Sequence, residues 1–477
     1  MTAKKQKSIK KAMAYICAFF LLFLIFLFLE TKKFIIVQFP FSNFSQILFF
    51  LLSGLEGTDY HFIETYFFRC LLPSASYSTA FLLLPEIMRL AVFQKILSYI
   101  KSNYINCLIL GTFFIIWTYS IHTLLTKTEK IFPPKSTFYE ENYVEPEKQN
   151  FTFPTQKKNL IIILLESFET TFCNTSFFGT NLLSPLQAIQ ARGISFQNYT
   201  NGFGTTSTQP AILALFSGVP TTLIPIDILH QYGKNLTQLK NTYTLGKILT
   251  SNHYHTFFIS GINTNFAGQK KFLCDNGFQE KYLDSQNIEK MYPQYQRAGG
   301  WGYGDSDVFQ IAANELKSMK EPFVAIINTI DTHHHYDPKI STDTHLAYKE
   351  YDTIYHTAQA TADFLTTLQS YPYYQNTVIV LLGDHLRQGN DFSMPDERHI
   401  YNLFLNTDIN LQERNRTFTQ IDLFPTILEA IGVSWNSHRL GLGTSVFSQE
   451  QTLQEKFGGA YLERELSKRN DLYNHLW

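Results

Sequence analysis

Two short apolar runs, each stopping on ionisable side chains, constrain this chain more than anything else in it. Asn159-Leu160-Ile161-Ile162-Ile163-Leu164-Leu165 stops on Glu166-Ser167, and Thr377-Val378-Ile379-Val380-Leu381-Leu382-Gly383 stops on Asp384-His385. A run that is apolar at successive positions, not alternate ones, suits a strand buried on both faces, as in a parallel sheet covered by helices. Ligands of such sheets bind outside the carboxyl ends of the strands. A carboxylate at one end and an Asp-His pair at the other therefore predict a site on one sheet edge that offers hard and borderline metal ligands. A third run, 323–330, leads into Asp331-Thr332-His333-His334-His335. Helical patterns at 311–320 and 357–370 alternate with these runs, so the region from 159 onward is expected to be α/β with a mainly parallel sheet.

Between the first two runs lies Thr208-Gln209-Pro210-Ala211-Ile212-Leu213-Ala214-Leu215-Phe216-Ser217-Gly218, preceded by Gly202-Phe203-Gly204. A hydroxyl heading an apolar helical run, after a turn, suits a nucleophile on the first turn of a buried helix. Free N–H groups and the positive dipole end there hold phosphate. Taken alone, the stretch fits equally a Thr208 that merely caps the helix, with Pro210 in its first turn.

The beginning of the chain is different in kind. Lys4, Lys5, Lys7, Lys10 and Lys11 precede an apolar run over 12–29, long enough to span a bilayer with a cytoplasmic N-terminus. Glu30-Thr31-Lys32-Lys33 follows in place of a small-residue cleavage site, so an uncleaved anchor is expected. Further apolar segments fall at 34–54, 78–97 and 105–125, with 62–72 as a weaker one. An outside catalytic domain requires an odd number of spans, and three to five are open. Residues 1–125 are thus expected as a transmembrane domain, the charged, aromatic and Pro-containing 126–158 as a linker or interfacial arm, and 159–477 as the catalytic domain. Near-neutral charge gives no nucleic-acid signature. Of five cysteines, only Cys173 and Cys274 could meet outside the membrane region, and whether they pair is open.

The order Glu166, Thr208, Asp384-His385 resembles the alkaline phosphatase superfamily, specifically its membrane-anchored sulfatase-like transferases. Thr208-x-Pro-Ala-x-x-x-Leu-x-Ser-Gly is similar to the sulfatase Cys/Ser-x-Pro-Ser-Arg-x-x-Leu-x-Thr-Gly element, with Thr208 at the nucleophile and Ile212 where sulfatases carry Arg. Threonine cannot become formylglycine, so sulfate-ester hydrolysis is not expected. Threonine nucleophiles are typical of lipoteichoic acid synthases, periplasmic glucan phosphoglycerol transferases and phosphoethanolamine transferases. Phe266-Ala267-Gly268, Trp301-Gly302-Tyr303-Gly304-Asp305 and Ile421-Asp422-Leu423-Phe424-Pro425-Thr426 resemble further elements of these families.

That resemblance implies a divalent ion, zinc or manganese, on Glu166, Thr208, Asp384 and His385, lowering the pKa of the threonine hydroxyl. Thr208 and His333 would be catalytic. His333, His399 and Trp301 are the candidates for substrate or a second ion, although Trp301 fits plain packing and His399 a capped strand residue equally. Arg387 and Lys270 are candidate phosphate contacts or solvated charges. The implied reaction transfers phosphoglycerol from phosphatidylglycerol, through phospho-threonine, to an envelope glycan or polymer. Phosphoethanolamine transfer to lipid A or a surface glycan is the alternative, and a soluble-substrate phosphodiesterase the second. The implied partners are a phospholipid donor, a glycan, polymer or lipid acceptor and the membrane, with the enzyme multi-pass in the bacterial inner membrane and its catalytic domain outside.

Overall fold

The computed structural model describes residues 3–38, 58, 60–88, 134–222, 238–334, 338, 346–389, 392–411 and 413–477. The chain divides into two compact units, residues 1–40 with 60–134 and residues 41–59 with 135–477.

In the first unit, helix α1 (Ala3–Gln38) carries the expected first apolar run and packs with α2 (Leu72–Met88). Thr31 and Tyr66 share a hydroxyl–hydroxyl hydrogen bond of 2.8 Å, and Phe26 meets Tyr77 edge-on at 5.6 Å. Phe20, Leu21, Leu24 and Phe28 on α1 are all more than half exposed. Among the described residues, no helix is long and apolar enough to cross a membrane. The expected segment 105–125 lies outside the described residues, as do most of 34–54 and about half of 78–97.

The second unit is built on a six-stranded sheet. Its strands are β1 (Asn159–Leu165), β2 (His255–Ser260), β3 (Lys281–Leu283), β4 (Phe323–Asn328), β5 (Thr377–Gly383) and β6 (Asn402–Leu405). Their spatial order is β3-β2-β4-β1-β5-β6, parallel throughout except for the antiparallel edge pair β5–β6. β1 lies in the middle of the sheet, and packed residues cover both its faces. Leu160, Ile162 and Leu164 enter one core, with α3 (Thr208–Ser217) and the helix Leu423–Ala430. Ile161, Ile163 and Leu165 enter the other, with α4 (Asp305–Leu316) and α5 (Lys349–Leu368). This two-sided burial is why the runs are continuously apolar.

Register then decides what arrives at the edge. Leu164 pairs with Asn328 and Leu165 with Gly383, so β1, β4 and β5 end level with one another. The residues that follow them, Glu166, Thr329 to His333 and Asp384-His385, emerge on one edge.

The stretch expected as an arm is, from Lys135 on, part of this unit. Phe138 and Tyr139 are buried, Phe138 against Phe457 and Tyr139 against Tyr473, and Val144 bridges Gly441. Its aromatic residues serve the core. Cys173 and Cys274 are free thiols. The physical reason is the sheet between them: Cys173 packs on the α4/α5 face, whereas Cys274 rides a short helix whose Phe272 and Leu273 fill the opposite core.

Candidate active site at the carboxyl edge of the sheet

Glu166, Asp384 and His385 converge, with one ligand atom of each within 4.8 Å of the others, and all are buried. Thr208 joins them. Its Oγ1 donates to Glu166 Oε2 at 3.0 Å and lies 3.5 Å from His385 Nε2. The N-cap of α3 is Ser207, so Thr208 is the first helical residue and its hydroxyl is free of the capping role that the sequence left open.

Each member is held from behind. The turn after β1 passes through Ser167 at φ 50°, a left-handed conformation that is costly for a residue with a Cβ. That turn aims Ser167 N–H at Asp384 Oδ1, 2.8 Å, and Ser167 Oγ at Glu166 Oε1, 2.6 Å. His385 N–H also donates to Asp384 Oδ1, which leaves Asp384 Oδ2 buried without a hydrogen-bond partner among the described residues. His385 Nδ1 faces the Leu386 carbonyl at 2.9 Å, which fixes it as the protonated nitrogen and turns the Nε2 lone pair to Glu166 and Asp384, 3.7 and 3.5 Å away. An orphaned carboxylate oxygen beside a second carboxylate and an imidazole lone pair is a donor set that fits a divalent cation.

The electrostatics agree with that crowding. Burial, with Glu166 beside it, pushes the Asp384 carboxyl up to about 7. At Glu166 burial works the same way but is outweighed by His333, His385 and the hydroxyls of Ser167 and Thr208, so its carboxyl falls below the ordinary value. Burial opposes the His385 cation, yet Asp384 and Glu166 raise it.

His333 extends the site. Its ring stacks on His334 at 4.5 Å and lies 5.0 Å from the ring of Trp301, and burial lowers its pKa against the pull of Glu166. Trp301 packs in a small cluster with Ile262, Ile330 and Phe266, one wall above the edge. His335 lies outside the described residues.

His399 and Lys270 are placed elsewhere, whereas Arg387 lies beside the site. The His399 ring meets the exposed carboxylate of Glu397 at 3.2 Å, and its backbone is tied to Thr170 and Thr171. The neighbouring Arg398 turns inward in its stead, onto the fully buried Glu169. Lys270 pairs with Asp284 at 3.2 Å and lies over Tyr282. Arg387 is no solvated charge: it is buried, donating its N–H to Glu169 Oε1 and its guanidinium to the Thr332 carbonyl.

Sequence reasoning missed the supporting residues Ser167, Glu169, Thr332, Gln388 and Gln420. Thr332 Oγ1 donates to the Glu166 carbonyl, Gln388 to the Thr206 carbonyl, and Gln420 Nε2 to the Asp384 carbonyl at 2.9 Å. Ser167 stood next to Glu166 and Thr332 next to His333.

A three-layer α/β unit whose parallel strands deliver two carboxylates and an imidazole to one edge, where a helix start presents a threonine, defines the class. This chain belongs to the sulfatase family, whose model matches residues 158–433. It is 28% identical over 339 residues to phosphoglycerol transferase I of Salmonella typhi, a match covering 66% of this chain. The chain spans only 42% of that relative's length. Its fold is similar to a protein of the alkaline phosphatase superfamily from Vibrio parahaemolyticus (TM-score 0.51, 22% identity, 66% of this chain and 76% of that one). It is also similar to the lipoteichoic acid synthase LtaP of Listeria monocytogenes (TM-score 0.50, 17% identity, 65% and 80%).

Proposed function

We propose that the chain is a metal-dependent phosphotransferase of the bacterial envelope. It moves phosphoglycerol from phosphatidylglycerol to a glycan or polymer hydroxyl through a phospho-threonine on Thr208. The observation that carries this reading is the Thr208 hydroxyl, at the start of a buried helix, 3.0 Å from Glu166 and 3.5 Å from His385.

Glu166, Asp384 and His385 would hold the ion, zinc or manganese, with the Thr208 oxygen beside them. When bound, the ion supplies a Lewis acid that lowers the pKa of the threonine hydroxyl. The remaining chemistry belongs to the chain. Glu166 Oε2 already accepts the Thr208 hydroxyl hydrogen bond and orients the oxygen lone pairs outward. Thr208 Oγ1 attacks phosphorus as its proton passes to Glu166 Oε2, the bond from phosphorus to the diacylglycerol oxygen breaks, and that oxygen takes a proton as diacylglycerol leaves. An acceptor hydroxyl then attacks the phospho-threonine diester and restores Thr208. The start of α3 contributes N–H groups unused within the helix and its positive dipole end, which suits phosphoryl oxygens. His333, beside Glu166 and Trp301, is assigned to charge neutralisation or to protonation of the leaving oxygen, and Trp301 to the headgroup wall. Removing one such charge-stabilising contact costs roughly two to three orders of magnitude in rate.

The phosphoglycerol donor is supported by the similarity to phosphoglycerol transferase I. Anchorage in the inner membrane is supported by the exposed apolar side chains of α1 and the lysines that precede them. Within this reading, residues 1–125 anchor the protein and the catalytic domain of 159–477 faces outward.

The test supplies detergent-purified protein with phosphatidylglycerol or phosphatidylethanolamine, plus zinc or manganese, and measures diacylglycerol. Release from phosphatidylglycerol, abolished by chelation and by Thr208→Ala, is expected. Release from phosphatidylethanolamine alone would replace the donor, and release from neither would overturn lipid-donor transfer.

A further inference from the structure

The loop that carries His333 is clasped to the start of α4. Asp305, the first residue of α4, donates its N–H to Asp331 Oδ2 at 2.9 Å. Asp305 Oδ1 in return accepts the N–H groups of Ile330 and Asp331, at 2.8 and 3.2 Å. Thr357 on α5 steadies the other oxygen, donating to Asp305 Oδ2 at 2.9 Å. Each carboxylate therefore caps the backbone of the other's segment, and Asp331 stands at the positive end of the α4 dipole. The helix is the fixed partner, since Val308, Ile311, Ala312 and Leu316 are buried in the core.

The clasped loop leads to the reacting groups. Asp331 is followed by Thr332, whose hydroxyl donates to the Glu166 carbonyl, and by His333, whose N–H closes a turn on the Ile330 carbonyl at 2.9 Å. His333 acts electrostatically on Glu166, which accepts from Thr208. As a tie alone, the clasp works against the stability of the fold. Both side chains are buried, and burial pushes both carboxyls upward, Asp305 to about 6 and Asp331 well above its ordinary value. Glu166 raises Asp305 as well, which puts the clasp within electrostatic reach of the ligand cluster. Asp331 Oδ1 has no hydrogen-bond partner among the described residues. Buried, mutually repelling and incompletely paired carboxylates lower stability, and local conflicts of that kind are kept where a site needs them.

We propose that Asp305 and Asp331 are positioning residues that hold His333 against the transferred phosphoryl group, with the start of α4 as their fixed point. Both act through other atoms, Asp305 through the Ile330 and Asp331 N–H groups and Asp331 through the Asp305 N–H. Loss of either carboxylate frees the loop and moves the His333 ring. Misplacement by about 1 Å costs roughly a hundredfold in rate. The inference rests on the phosphotransfer reading above and assigns to it two residues outside the ligand cluster.

The test measures diacylglycerol release from phosphatidylglycerol in full-length Asp305→Ala, Asp331→Ala and Asp305→Asn, each alone and combined with His333→Ala. Zinc affinity by calorimetry and thermal unfolding are measured alongside. Asp331→Ala forfeits a single accepted hydrogen bond, and carries the test should Asp305→Ala not fold. Asp305→Asn keeps an acceptor for both N–H groups, and its amide can donate to the Thr357 hydroxyl. Each Ala variant should lose about a hundredfold in kcat with zinc affinity unchanged, and Asp305→Asn should keep most of the wild-type rate. In the His333→Ala background the same substitutions should cost nothing further, the non-additivity expected of residues that act through another. Folded Ala variants with the wild-type rate would overturn the assignment. Equal losses with and without His333 would also overturn it, as the mark of a purely structural role. Zinc affinity falling in step with the rate would do the same by moving the effect to Glu166. All three leave lipid-donor transfer intact. Wild type that releases nothing from any donor lipid would refute lipid-donor transfer itself, and the assignment with it.

Discussion

Gly383 is the last residue of β5, directly before Asp384 and His385, and it permits a perturbation whose size can be worked out. A Cβ placed there would lie 2.0 Å from the Phe168 carbonyl oxygen and 2.6 Å from Ile400 Cγ2. Ordinary contact begins near 3.4 Å, so Gly383→Ala demands that backbone move by about 1.4 Å relative to backbone. The Phe168 carbonyl cannot retreat freely, because it accepts the Tyr401 N–H at 3.0 Å, and Gly383 N–H in turn donates to the Tyr401 carbonyl at 2.8 Å. Overpacking of a tight core costs about 1–3 kcal/mol, and here the strain falls on backbone, toward the upper end. The adjoining ligands should shift by a comparable distance, and misplacement by about 1 Å costs roughly a hundredfold in activity. The assay pairs urea unfolding with zinc affinity by calorimetry. Gly383→Ala should lose about 3 kcal/mol and bind zinc at least tenfold more weakly. A variant with native stability and native zinc affinity would refute the claim that strand-end packing positions the ligands.

Ser167→Ala removes the 2.6 Å hydrogen bond to Glu166 Oε1; zinc affinity by calorimetry should fall about 10–100-fold, as for other partners of metal ligands, with the fold intact by circular dichroism. Arg398→Ala strands the fully buried Glu169 carboxylate, and urea unfolding should show a loss of about 3–5 kcal/mol. Asp422 accepts the Thr419 and Thr444 N–H groups, and burial pushes its carboxyl up to about 7 from the ordinary 3.8. The unfolded chain therefore releases this proton first, so the group's contribution to stability is full below about pH 4 and is lost as pH rises to about 7. Unfolding free energy measured over that range should fall less steeply in Asp422→Asn than in wild type.

What could be read in the sequence follows from what sequence encodes locally. The runs at 159–165 and 377–383 declared their burial residue by residue, and the groups they carry, Glu166 and Asp384-His385, needed only parallel pairing to meet. Thr208 was visible by its place at the head of an apolar helix. The supporting shell was not visible, because its contacts join distant positions: Gln420 to Asp384, Gln388 to Thr206, Arg398 to Glu169. Nor does composition reveal that Ser167 adopts a left-handed turn. The aromatic residues near 138 suit an interface and a core equally by type, and only the partners Phe457 and Tyr473 decide. The two outer cysteines were compatible with pairing until the sheet was seen to separate their surroundings.

The central claim is that the Thr208 oxygen carries the transferred group. Intact-mass spectrometry of wild type and Thr208→Ala, incubated with phosphatidylglycerol and zinc or manganese in the absence of acceptor, tests it most directly. A single phosphoglycerol adduct is expected, mapped by fragmentation to Thr208, absent from the variant and lost when an acceptor is supplied. Diacylglycerol released at equal rates by wild type and Thr208→Ala, with neither protein modified, would contradict it.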